Sequence, residues 1–336
     1  MQKHNSSQGI IGRRTLIAGA AAGAAAFAAA PAAAQRCPAN PPARTKGPLV
    51  WMNMDQQDLD DAYTQSVYAF NSKNLGQRRA YNNKIALSVI GKPDRVAYGP
   101  AEIERVDIYR TKRPNPPTLV FIHGGGWRNG RSADFTVYAE PYVKAGANFI
   151  AVDFASVRDT DGDIFPLVDQ CRRAVAWVYK NAKSFGGNAD SIYLCSRSSG
   201  SHLAGCVVTT EWAKFGVPRN ILKGAVLGSG MYDLKPVRLS ARSGYVKFTD
   251  QMERELSPQR HIDRIHTPLV LGIGTLETPE FQRQSRDFAA ALKAAGKPVQ
   301  LVVATGYNHF EVGETLCHPN AVLGRAAMDM MKLNTV

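Results

Sequence analysis

Short apolar runs alternate with longer amphipathic stretches along the chain from residue 117 onward. TLVFI (118–122), NFIAVDF (148–154), SIYLC (191–195), GAVLG (224–228), LVLGI (269–273) and LVVAT (301–305) are almost unbroken in their apolar character. Runs of that length without polar alternation predict strands buried on both faces. Between them, FPLVDQCRRAVAWVYKNA (165–182) and PEFQRQSRDFAAALKAAG (279–296) space their apolar residues as helices do. Strand and helix in turn predict an α/β fold with a mostly parallel sheet and helices on both faces. IERVDIYR (103–110) is expected to add an antiparallel strand at the start of the sheet. Upstream, DQQDLDDAYTQSVYAF (55–70) places Leu59, Tyr63 and Val67 on one face of a helix. Only a short interval separates LAGCVVTT from GAVLG, so no large lid domain fits there. Cover for a site would come from Tyr63, Tyr68 and Phe70 and from the segment 231–256.

The composition narrows the function classes. Of 336 residues, 44% are hydrophobic and 21% charged, enough apolar material for one α/β domain and too much for disorder. The net charge of +13 is spread along the chain, with no zinc-ligand spacing, so it indicates a generally basic surface and no nucleic-acid partner. Residues 1–34 read as a targeting segment: Arg13 and Arg14 precede an Ala-rich run that ends in Ala32, Ala33 and Ala34. That pattern resembles a twin-arginine signal, with a basic start on an ordinary Sec signal as the alternative; it predicts the twin-arginine export machinery as a partner of the precursor, cleavage near Ala34, and a periplasmic or secreted product. The run is too weakly apolar for a stable membrane anchor. Residues 35–50 form a Pro-rich leader, and 51–336 the folded domain. Five cysteines (Cys37, Cys171, Cys195, Cys206 and Cys317) would meet an oxidising compartment, and their odd number leaves at least one unpaired within the chain.

Three stretches carry candidate chemistry. FIHGGGWRNG places His123, Gly124, Gly125, Gly126 and Trp127 directly after a predicted strand, where glycines let backbone N–H groups approach a substrate. SIYLCSRSSGSHLAG joins a strand to a helix through a Ser-rich turn. Only Ser198 in that turn has a glycine two residues on, Gly200, as a nucleophile elbow requires; Ser196 stands where the first glycine is usual. The turn also suits serines that merely cap a helix. Downstream, GTLETPEF sets Glu277 after one strand and TGYNHFEV sets His309 after the last. Nucleophile, acid and histidine then fall in the order Ser198, Glu277, His309. Glu280 is the rival acid, expected instead to open a helix, and His123 and His202 are expected to be structural.

With these motifs in view, the chain resembles α/β-hydrolase-fold serine esterases, in the kynurenine formamidase (arylformamidase)-like branch that carries H-G-G-x-W. YGPAEIERVDIYR, GSGMYDLKPVRLS, TPEFQRQS and GYNHFEV share the likeness, which spans roughly residues 50–330. It departs from the family at Ser196 for glycine, Arg197 for histidine, Ser201 for glycine and Glu277 for aspartate. The resemblance implies the α/β-hydrolase fold, a Ser198–His309–Glu277 triad, and oxyanion donors from the N–H groups of Gly125, Gly126 and Ser199. It also implies a small ester, aryl amide or formamide as substrate, hydrolysed through an acyl-enzyme without metal or organic cofactor. N-formylkynurenine is the narrower alternative, and a non-catalytic binding protein on the same fold is the alternative from another class.

Overall fold

A computed structural model describes residues 44–334. The signal-like segment 1–34, most of the leader and Cys37 lie outside the described residues. The chain opens with β1 (Leu49–Trp51), β2 (Met54–Asp55), α1 (Gln56–Ala62), α2 (Gln65–Tyr68), α3 (Ser72–Ile90), β3 (Asp94–Ala97) and β4 (Arg105–Tyr109). It continues with β5 (Thr118–Ile122), α4 (Thr136–Lys144), β6 (Asn148–Val152), α5 (Phe165–Asn181), β7 (Ile192–Arg197), α6 (Ser199–Val208) and β8 (Leu222–Gly228). It closes with α7 (Leu234–Leu239), α8 (Asp250–Glu255), β9 (Leu269–Gly274), α9 (Pro279–Ala294), β10 (Val299–Ala304), α10 (His309–Glu314) and α11 (Val322–Met330). Eight strands form one sheet in the order β10-β9-β8-β7-β5-β6-β4-β3. β5 to β10 run parallel, while β4 is antiparallel to both β6 and β3.

Residue alternation shows why both faces are covered. In β5, Val120 and Ile122 pack on the side of α5, α6 and α9, in one cluster with Leu167, Leu203 and Phe288. Leu119 and Phe121 point the other way, toward Tyr138 of α4 and Leu323 of α11. β6 divides likewise, Ile150 and Val152 against Phe149 and Ala151. Strands that must be apolar on both faces lose the polar alternation of a half-exposed sheet, which is why they stand out in the sequence. The order reverses at β5, with β6 on one side and β7 on the other. Crevices at such switch points lie off the carboxyl ends of the strands.

The amino-terminal helix departs from expectation. It does not run through 55–70: α1 ends at Ala62, Tyr63 caps it, and Thr64 is extended before the four-residue α2. Arg242 donates to Tyr63 O (3.0 Å) and Thr64 Oγ1 to Asp60 O (2.8 Å), capturing carbonyls that a continuing helix would use. Leu59 and Tyr63 are buried, but Val67 is exposed, so the three do not share a buried face. The end of the leader is tied to the domain, with Arg44 paired with Asp55 and Lys46 donating to Asn53 O. No helix among the described residues is long and apolar enough to cross a membrane.

Candidate active site

β5 and β7 end side by side, and the segments that follow them meet. After β7 the chain turns at Ser198 with φ 57° and ψ −132°, a conformation that costs a non-glycine residue of order 1–3 kcal/mol. That turn lifts the side chain out of the sheet while α6 begins at the next residue. It is tight on both sides. A Cβ on Gly200 would lie 2.3 Å from Ile122 O, and one on Gly124 would lie 2.8 Å from Arg197 O. The offset from Ser198 to Gly200 therefore reflects how close β5 lies under the turn. Ser196, where a glycine is usual, is fully buried, and its Oγ meets Ser201 Oγ at 2.9 Å. Ser201 Oγ in turn donates to Gly228 O (2.8 Å), so both hydroxyls are consumed inside the fold.

Ser198 has a different partner. Its Oγ lies 2.8 Å from His309 Nε2, and His309 Nδ1 lies 2.8 Å from Glu277 Oε2. His309 opens α10 behind an Asn308 cap, with a reciprocal bond from Glu311 fixing the entry of the chain. Glu277 sits in the turn after β9, where its Oε1 accepts from Gly274 N–H (2.7 Å) and from Ser229 Oγ (2.7 Å). Glu277 and His309 are both about 3% exposed. Burial pushes the imidazole pKa below its ordinary value; Glu277 opposes this, and Arg197 and Arg242 add to it. At neutral pH the ring is thus uncharged, with Nδ1–H donating to the carboxylate and Nε2 free to accept. Glu280, the rival acid, points elsewhere: it is buried against Arg283 and the Tyr63 hydroxyl.

The glycine loop faces this group. Gly125 has φ 133°, and a Cβ there would lie 1.9 Å from Asn129 O, so only glycine fits. Trp127, next to Gly126, donates its N–H to Ser199 Oγ (3.2 Å), which pins the loop to the first turn of α6. Ser199 also opens a helix, where N–H groups have no acceptor within their own helix. Gly124, Gly125 and Gly126 line the same cavity as Ser198 and His309, a cleft of about 760 Å³. His123 stacks between Phe135 and Phe154 and donates from Nδ1 to Gly124 O (2.8 Å), and His202 donates from Nε2 to Leu256 O (2.8 Å). Both support the loop and the turn from behind.

The cover differs in part from expectation. Tyr63 and, from the segment 231–256, Arg242 and Tyr245 line the cleft, but Tyr68 and Phe70 do not. The fourth wall is α3, whose Arg79 and Asn83 face the cavity and which the sequence pattern did not reveal. Ser229 also escaped sequence reading; its only local signal is a serine directly after β8 in left-handed backbone (φ 54°). Cys171, Cys195, Cys206 and Cys317 all carry free thiols. Among the described residues no group of three or more His, Cys, Asp or Glu gathers as metal ligands would.

Sheet order, strand directions and helix placement are those of the α/β-hydrolase fold, with no large lid between α6 and β8. A solved chain from Silicibacter sp. tm1040 superposes with a TM-score of 0.69 at 22% identity, covering 79% of this chain and 98% of that one. The family model BD-FAE matches residues 106–221. Kynurenine formamidase of Salmo salar is 30% identical over 70% of this chain and 81% of that protein. Kynurenine formamidase of Danio rerio is 29% identical over 84% of this chain and 98% of that one. The chain belongs to the family of α/β-hydrolase-fold esterases that includes the kynurenine formamidases.

Proposed function

We propose that the protein is a serine hydrolase that cleaves small carboxylic esters, aryl amides or formamides through an acyl-enzyme on Ser198. The observation that carries this reading is the continuous relay from Ser198 Oγ through His309 to Glu277, with both contacts at 2.8 Å, in an open cleft. His309 Nε2 takes the Ser198 proton as Oγ attacks the substrate carbonyl, then returns it to the leaving group. Glu277, held by Ser229 and Gly274, fixes the imidazole tautomer and stabilises the imidazolium. N–H groups of Gly125, Gly126 and Ser199 receive the oxyanion, each such donor worth about 2.7–4 kcal/mol where measured. Water then attacks the acyl-enzyme with His309 again as base. The protein's own groups suffice for these steps.

Relatedness to proteins named kynurenine formamidase, one of them covered over 98% of its length, favours N-formylkynurenine as a second, narrower reading. A screen of the purified chain on p-nitrophenyl acetate and butyrate, on anilides and on N-formylkynurenine tests both. Turnover of esters that is lost in Ser198→Ala supports the broad reading, and a preference for N-formylkynurenine over every ester supports the narrow one. No turnover of any class would indicate a binding protein on this fold. Export through the twin-arginine route remains a proposal from Arg13 and Arg14 and the Ala-rich run after them.

A further inference from the structure

Four arginines line the cleft: Arg79, Arg128, Arg197 and Arg242. Among the described residues none of them has a carboxylate partner, whereas eleven arginines elsewhere in the fold do and seven others do not. Arg95 holds Asp107 and Asp153, Arg173 holds Glu104, and Arg283 holds Glu280 and Asp287. The two acids that line the cleft meet only neutral donors and keep their charge. Asp60 accepts from Gln56 and from Ala241 N–H, and Asp134 accepts from Arg131 N–H. Four guanidinium groups against these two carboxylates leave the lining with an excess of two positive charges.

Aromatic rings hold three of the guanidinium groups instead. Arg79 lies over Phe135 (5.1 Å), Arg128 over Tyr245 (3.9 Å), and Arg242 over Trp127 (5.5 Å) and Tyr63 (5.9 Å). A guanidinium that rests its face on a ring keeps its N–H edge for a carboxylate. Arg242 is 8% exposed and uses its five donors sparingly, giving one bond to Tyr245 Oη and one to Tyr63 O while Nε has no partner. Arg197 is 6% exposed, and its Nε, against Gly313, also has none. Buried cationic donors without an anion are costly, and an anionic ligand would offset that cost. The cluster borders the reacting centre: Arg242 Nη1 and Arg128 Nε lie 3.6 and 4.0 Å from where a Cβ on Gly126 would stand.

We propose that the cleft selects substrates that carry a carboxylate near the scissile bond, bound by Arg242 and Arg128 with Arg79 and Arg197 supplying further positive charge. The hydrolytic readout of this proposal rests on Ser198 as nucleophile; its binding readout does not. Two substrate pairs locate the anion: 4-acetoxybenzoate against 4-acetoxybenzamide for the leaving-group side, and p-nitrophenyl adipate against p-nitrophenyl adipamate for the acyl side. In at least one pair, kcat/KM should favour the anion by about tenfold at low salt, as a charge-assisted bidentate contact would give, and by much less in about 1 M KCl. The ratio should fall toward one in Arg242→Gln and, without touching that buried residue, in the double variant Arg79→Gln/Arg128→Gln. In parallel, calorimetry on Ser198→Ala with 4-hydroxybenzoate and adipate, against their amides, should detect binding of one anion and weaker binding in the double variant. Ratios near one in both pairs, with the neutral esters hydrolysed, would overturn the proposal and leave the hydrolase reading standing. Anion binding without turnover would do the reverse. Equal binding of anions and amides would overturn it whatever the turnover.

Discussion

Ser196, Ser198, Ser199 and Ser201 occupy one turn of chain, and their hydroxyls have different partners. Ser196 and Ser201 meet each other and Gly228 O, whereas Ser198 meets His309. Ser198→Ala should therefore lower kcat by about three or more powers of ten, since such triads act as a unit. Ser196→Ala and Ser201→Ala should cost about 1–3 kcal/mol of stability, read by urea unfolding, and less than about tenfold in kcat. Ser199 differs from what its backbone role alone suggests, because its Oγ accepts the Trp127 N–H. Ser199→Ala would leave that N–H without its acceptor and loosen the glycine loop, so kcat should fall roughly tenfold with the fold intact. Ser229→Ala should act similarly through Glu277. That Ser198, His309 and Glu277 meet was readable because each follows a strand end. Ser229 and Arg242 were not, because what they touch depends on loop backbone that no periodicity encodes.

At the scale of elements, α6 carries a buried histidine that links folding to pH. Burial lowers the His202 pKa to about 4 from an ordinary value of 6.5. Between those values the unfolded chain binds a proton that the native chain refuses, so stability falls as pH falls through this window and is fully present above it. The loss amounts to roughly 3 kcal/mol for this residue. Burial shifts His123 and His309 in the same direction. Urea unfolding at pH 7 and pH 4 should show the decline, and His202→Gln, which can still donate to Leu256 O, should flatten it. An equal slope in that variant would count against the account. On the proposed mechanism, kcat/KM should rise with pH on a limb whose midpoint lies below the ordinary histidine value, as His309 loses its proton. Five of the six apolar runs were legible as buried strands because parallel strands need apolar residues on both faces; the sixth, LVVAT (301–305), lies in the edge strand β10, where Ala304 alone is buried. The 19-residue α3 was not legible, since only Leu75 and Ala86 are buried along it, and the exposed edge strand β3 gave no apolar run.

For the whole molecule, the cleft lies open between α3, the loops after β5 and β7, and Arg242 with Tyr245. With no large lid to bury a long chain, p-nitrophenyl acetate and butyrate should be hydrolysed faster than the palmitate ester; the opposite order would indicate a lipase. Replacing Arg13 and Arg14 together with lysine should strand the precursor in the cytoplasm, checked by fractionation, and an unchanged exported yield would refute the twin-arginine route. General architecture was legible in the sequence, and the cover only in part: Tyr63 and the segment 231–256 do line the cleft. Tyr68 and Phe70 looked suited to it, yet the break at Thr64 turns the chain so that α3 forms that wall instead. The central claim is that Ser198 is an activated nucleophile. Fluorophosphonate labelling of the intact chain, followed by mass spectrometric mapping, tests it most directly. The account predicts a single adduct on Ser198, abolished in Ser198→Ala and slowed in Ser199→Ala. An adduct on any other serine, or none under conditions where an esterase control reacts, would contradict it.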